Sequence, residues 1–154
     1  MSDKYSARAT LGLASYLKAE MPTFLRATES ALGLAGGSLQ DPVDVVVANA
    51  PLDTRSPLIE VYCERVTPEN YLNDVWNCDC TVAITYVGDA NIEASELKMY
   101  RYANTAIDCL KEDPSLKSNV VSALVTDQNF VSLRGPEDIT RKVGILGVEV
   151  KVKE

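Results

Sequence analysis

A chain of 154 residues has room for one domain, at roughly 100–200 residues each, and for one real core. Hydrophobic residues at 46% and charged residues at 24% exclude a disordered chain, and no apolar run approaches the ~18 residues of a membrane-spanning helix. The net charge of -7 is concentrated in residues 41–91, where nine acids stand against Arg55 and Arg65, so that segment repels phosphate and is not expected to grip nucleic acid.

The N-terminal stretch MSDKYSARATLGLASYLKAE carries charges throughout and lacks the apolar run of a signal peptide. Residues 4–33 read as helix, with Leu11, Ala14, Leu17, Met21, Leu25, Thr28 and Leu32 near one face. Pro22 removes a backbone donor and disfavours helix at Met21, so two helices or one kinked helix are predicted. Gly33, Gly36 and Gly37 end this N-terminal helical region of residues 1–40, and GLAGGSLQDP reads as a linker-like loop.

Residues 43–48, VDVVVA, read as a short strand. In residues 58–65, Ile59, Val61 and Cys63 alternate with Glu60, Tyr62 and Glu64, the pattern of a half-buried strand. Residues 75–87 alternate more strongly, with Trp76, Cys78, Cys80, Val82, Ile84 and Tyr86 on one face; 13 residues at ~3.3 Å each reach about 43 Å. Asn91 is placed to cap a helix over 92–112 whose stripe is Tyr100, Ala103, Ile107 and Leu110, with Leu97 and Met99 at its margin. Of Tyr100 and Tyr102, one faces inward and the other suits an interface. Residues 118–126 suit a strand or a helix. Residues 125–138 are polar and carry Gly135 and Pro136, so a mobile loop is predicted there. Residues 140–153 alternate to the end, with Leu146, Val148, Val150 and Val152 inward, which suits a sheet edge or a strand with one wet face. The order predicts a single α+β domain over 1–154: a mainly antiparallel sheet of about four to five strands with helices packed on one face.

The chemistry-bearing residues assemble no catalytic constellation. Histidine is absent, which removes Ser-His-Asp and Cys-His catalysis and histidine metal sites. Cys63, Cys78, Cys80 and Cys109 are spaced poorly for zinc, because C-x-C replaces C-x2-C, and they read as buried thiols. GLAGGS matches no phosphate-binding pattern. The acid pairs Glu60 with Glu64 and Glu112 with Asp113 have no partner base and read as solvated. Trp76 and Tyr86 read as core. No catalytic, cofactor-binding or metal-binding residue is therefore assigned, no cofactor is expected, and the chain reads as an assembly part and not as an enzyme.

From residue 73 onward, a strand DCTVAITYVGD leads into a helix ELKMYRYANTAIDCLKEDPSL, then VVSALVTDQNFVSL, then ITRKVGILGVEVKVKE. This order resembles the tail terminator (tail completion) proteins and related neck proteins of tailed bacteriophages. The residues that carry the resemblance are Ala106, Ile107, Leu110, Asp113 and Leu116. The resemblance implies a homo-oligomeric ring, usually a hexamer, that caps the finished tail tube. Its partners would be other copies of itself, the tail tube protein and the head-tail connector or stopper protein. DNA would pass through the lumen without specific binding, and no membrane is involved. The location implied is the virion tail or neck, after assembly in the host bacterial cytoplasm. A connector or stopper protein of the neck is the alternative, followed by a small-molecule-binding α+β domain. Within the ring reading, acids among Asp41, Asp44, Asp53, Glu60, Glu64, Glu69, Asp74 and Asp79 are expected to line the channel, and residues 125–138 to dock on the tube and order on assembly.

Overall fold

A computed structural model describes residues 2–49, 56–69, 74–88, 91–134 and 140–153. Helix α1 (Ser2–Ala31) buries Ala9, Leu13, Leu17, Met21 and Leu25 completely. That i, i+4 line, with Tyr5, Ala14 and Tyr16 beside it, is the true core face. Leu11 and Leu32, predicted on this face, are exposed instead: Leu11, two residues from both Ala9 and Leu13, lies about 200° away on the far side of the helix, and Leu32 lies just past the end of α1. The helix runs through Pro22 as one element, not two. Met21 and Leu25 are both fully buried around the proline, and that burial outweighs one missing backbone donor.

The segment after α1 is tied down more firmly than a linker. Gly33 and Gly37 adopt φ of 67° and 86°, where a Cβ would be strained, and turn the chain back. Leu39 is buried, its N–H donates to Glu29 Oε2 at 2.7 Å, and Arg26 donates to its carbonyl.

Five strands follow: β1 (Asp44–Val47), β2 (Leu58–Pro68), β3 (Val75–Val87), β4 (Ser122–Arg134) and β5 (Thr140–Lys153), with helix α2 (Ile92–Glu112) between β3 and β4. They form one sheet in the order β1-β2-β3-β5-β4. The β1–β2 pair is parallel and the other three are antiparallel, so the predicted α+β fold stands with a mixed sheet. Both helices pack on one face. There Ile59, Val61, Cys78, Cys80, Val82, Ile84, Leu146, Val148, Val150 and Val152 are each no more than 3% exposed.

Two predicted features are corrected, and one open alternative is decided. The expected loop at 125–138 is, over its described part, strand β4, and residues 135–139 lie outside the described residues. β4 is an edge strand wet on both faces for most of its length, so DQNF carries no apolar alternation to betray it. β5 lies inside the sheet, between β3 and β4, and so is the strand with one wet face. In α2 the buried face is turned by about one residue from the predicted stripe: Met99, Tyr102, Ala106 and Cys109 go inside with Ala103 and Leu110, while Tyr100 stays 38% exposed. The face is broad because α2 meets both α1 and the sheet. Asn91 caps it as predicted, accepting the Ala94 N–H at 3.0 Å.

Candidate functional site

The sheet face turned away from the helices is built by strand alternation. Glu60, Tyr62, Asp79, Thr81, Ala83, Ile145, Gly147 and Glu149 share it through the paired registers of β2, β3 and β5. An irregularity between Cys63 and Arg65 inserts Glu64 as an extra residue and brings its carboxylate to Thr81, whose hydroxyl donates to Oε1 at 3.2 Å. A second irregularity, between Val125 and Asp127 of β4, leans Asp127 over Gly147. A Cβ at Gly147 would lie 2.0 Å from Asp127 Oδ1, so only glycine leaves room for this carboxylate. Asp127 accepts from the Thr126 hydroxyl at 3.1 Å and from Asn129 Nδ2 at 3.3 Å.

The result is a groove of about 330 Å³ whose lining includes four carboxylates, Glu64, Asp79, Asp127 and Glu149. Arg65 offsets Asp79 at 3.3 Å. The acids predicted to act together are divided by the fold. Glu60, Glu64 and Asp79 share the outer face, and Asp74 is exposed just before β3. Asp41 pairs with Arg26 at 3.3 Å, Asp44 with Lys18 at 3.4 Å and Glu69 with Lys151 at 2.7 Å. Asp53 lies outside the described residues. Asp127 and Glu149 join the face from beyond the acidic segment. Glu149 was legible as an outward residue of the last strand, whereas Asp127 was hidden in the expected loop.

A second surface lies along β4. Leu124, Phe130, Val131 and Leu133 are 36–63% exposed; Leu124, Val131 and Leu133 lie on the face away from the helices, while Phe130 lies on the helix side beside Tyr100 of α2. Phe130 meets Tyr100 edge-on, ring centres 4.8 Å apart, above Gly144. A Cβ at Gly144 would sit 2.9 Å from Met99 Cε and 3.6 Å from Phe130 Cε1, so the glycine lets strand, helix and ring approach.

The remaining candidates are structural. Cys78, Cys80 and Cys109 are buried and Cys63 half-buried. Burial pushes the Cys78 and Cys109 thiols up to about 12 and the Cys80 thiol higher still, which holds them as protonated packing groups. Trp76 stacks on Tyr5 at 4.8 Å, and Tyr86 lies 6.0 Å from Tyr102. Asp113 caps the turn after α2, accepting from the Ser115 hydroxyl at 2.6 Å and the Lys117 N–H at 3.0 Å. These bonds hold its carboxyl below the usual range. That turn carries Leu116, Lys117 and Ser118 at φ of 52°, 58° and 66°, anchored by fully buried Leu116. Among the described residues no group of three or more His, Cys, Asp or Glu is placed to hold a metal, and no helix is long and apolar enough to cross a membrane.

No family model and no curated protein matches the chain. Among solved structures it is similar to a chain described as "Virion of native gene transfer agent (GTA) particle", with 13% identity, 92% of this chain and 98% of that chain covered, and a TM-score of 0.38. A likeness that low assigns no role to this chain.

Proposed function

We propose that the protein is a non-enzymatic, structural virion component. In this reading it forms a ring, usually of six copies, that ends a phage tail tube and joins it to the head-side connector, with DNA passing through the lumen. The observation that carries the reading is an open sheet ending in a 13-residue edge strand that bares apolar side chains. Such an edge is a template for pairing with another chain, and an exposed apolar area marks an interaction site. The sequence resemblance supports the ring. Its parts (long strand, helix with Ala106, Ile107 and Leu110, closing strand) occur in order as β3, α2 and β5. The acidic outer face supports the lumen, because a wall carrying Glu64, Asp79, Asp127 and Glu149 repels phosphate and lets a duplex slide.

Native mass and negative-stain imaging, alone and with purified tail tubes, test the proposal. The expected result is a ring that decorates tube ends and is retained by tube protein in a pull-down. Retention by the portal-side ring alone would place the chain in a connector or stopper instead. A stable monomer that never touches tube ends overturns the reading.

A further inference from the structure

This inference rests on the ring reading and names the contact that builds it. Among the described residues the sheet ends in β1 on one side and β4 on the other, each hydrogen-bonded within the sheet to one neighbouring strand. Following the ladders, β1, β2 and β5 run one way and β3 and β4 the other. A second copy set beside the first in the same orientation therefore offers its β1 antiparallel to β4, the commoner kind of pairing.

Both edges carry little charge. Between Ser122 and Leu133 the only charge is Asp127, β1 carries only Asp44, and neither strand contains lysine or proline. In a chain of net charge -7, copies that must repel one another elsewhere meet most easily along these near-neutral edges. Each edge is also apolar. Leu97, Tyr100, Leu124, Phe130, Val131 and Leu133 border β4, while Val43 and Val47 are 53% and 45% exposed at β1.

We propose that β4 of one copy pairs with β1 of the next in an antiparallel ladder that carries the sheet from subunit to subunit. The contact is heterologous: each copy gives one edge and receives the other, and rotation by a fixed angle closes the ring. β1 has four residues, so the ladder is short, and Phe130, Val131 and Leu133 against Val43 and Val47 supply the rest of the contact.

Two variants block one edge each: Val131→Lys with Leu133→Lys on β4, and Val47→Lys on β1. All three positions are at least 40% exposed. Native mass should show rings for the wild type and monomers for each variant. An equal mixture of the two variants should give dimers, since one intact β4 then meets one intact β1. Rings that persist in the Val47→Lys protein, or a mixture with no dimer, overturn the β4–β1 pairing while leaving the ring itself standing. A wild type that stays monomeric and never caps tubes overturns both. Hydrogen exchange on the wild type guards against misfolded variants: amides of 44–47 and 127–133 should slow together on assembly, and unchanged exchange at either edge overturns the pairing.

Discussion

Glu29 fixes the return of the chain after α1 with one carboxylate. It is 2% exposed; Oε2 takes the Leu39 N–H at 2.7 Å and Oε1 meets Arg26 Nε at 2.7 Å. Its carboxyl is held below the ordinary 4.5, first by the Leu39 N–H, against the upward pull of burial, and then by the Gly37 N–H and Arg26. A carboxyl depressed in the folded state stabilises above its unfolded pKa, and that contribution disappears as the pH falls through the folded value. Glu29→Gln should therefore melt below the wild type at pH 7, and the difference should narrow as the pH drops below 4.5. Thermal melts of both proteins from pH 7 to 3 check this; a gap of constant width would show that charge contributes nothing there.

At the scale of elements, buried hydroxyls join the two helices. Tyr16 donates to the Cys109 carbonyl at 2.7 Å, and the Thr28 and Thr105 hydroxyls meet at 2.7 Å. Burial, more than any neighbouring charge, pushes the Tyr16 phenol up to about 12, so it remains a donor throughout the ordinary pH range. Tyr16→Phe keeps the ring and strands the carbonyl, a cost of about 1–2 kcal/mol. In a domain of this size that lowers Tm by on the order of 3–6 °C. An unchanged denaturation midpoint would mean that water or another donor reaches Cys109.

The same scale explains what could be read in advance. The extents of β3 and α2 were legible because a long period-2 run and an Asn91 cap are local signals. β4 was not, because an edge strand has little burial to organise its sequence. The parallel β1–β2 pair was not, because pairing depends on the route between strands and not on the strands themselves. For the site, local charge marked Glu60, Glu64 and Asp79. It could not show that Arg26 and Lys18 of α1 would take up Asp41 and Asp44, or that Gly147 would make room for Asp127. Those are meetings between distant parts of the chain.

For the whole molecule, the question raised by the proposed ring is which way the acidic face would turn in it. Glu64, Asp79 and Glu149 lie on three different strands, so the charge they make belongs to the sheet and not to any one segment. Reversing all three to lysine changes the charge by two units per site, from -7 to -1, and turns a phosphate-repelling patch into an attracting one. Wild-type protein should not retain duplex DNA at low salt. The triple variant should, and its affinity should fall with a log–log salt slope of about -0.9 for each phosphate contacted. That result alone would show only that the face is accessible. Assembled particles locate it: if the face lines the lumen, variant rings still cap tubes while DNA transit slows, because every base pair passing through must break new phosphate contacts. Transit at the wild-type rate through variant rings that demonstrably bind DNA would put the face on the outer rim and leave the lumen to be lined by other residues.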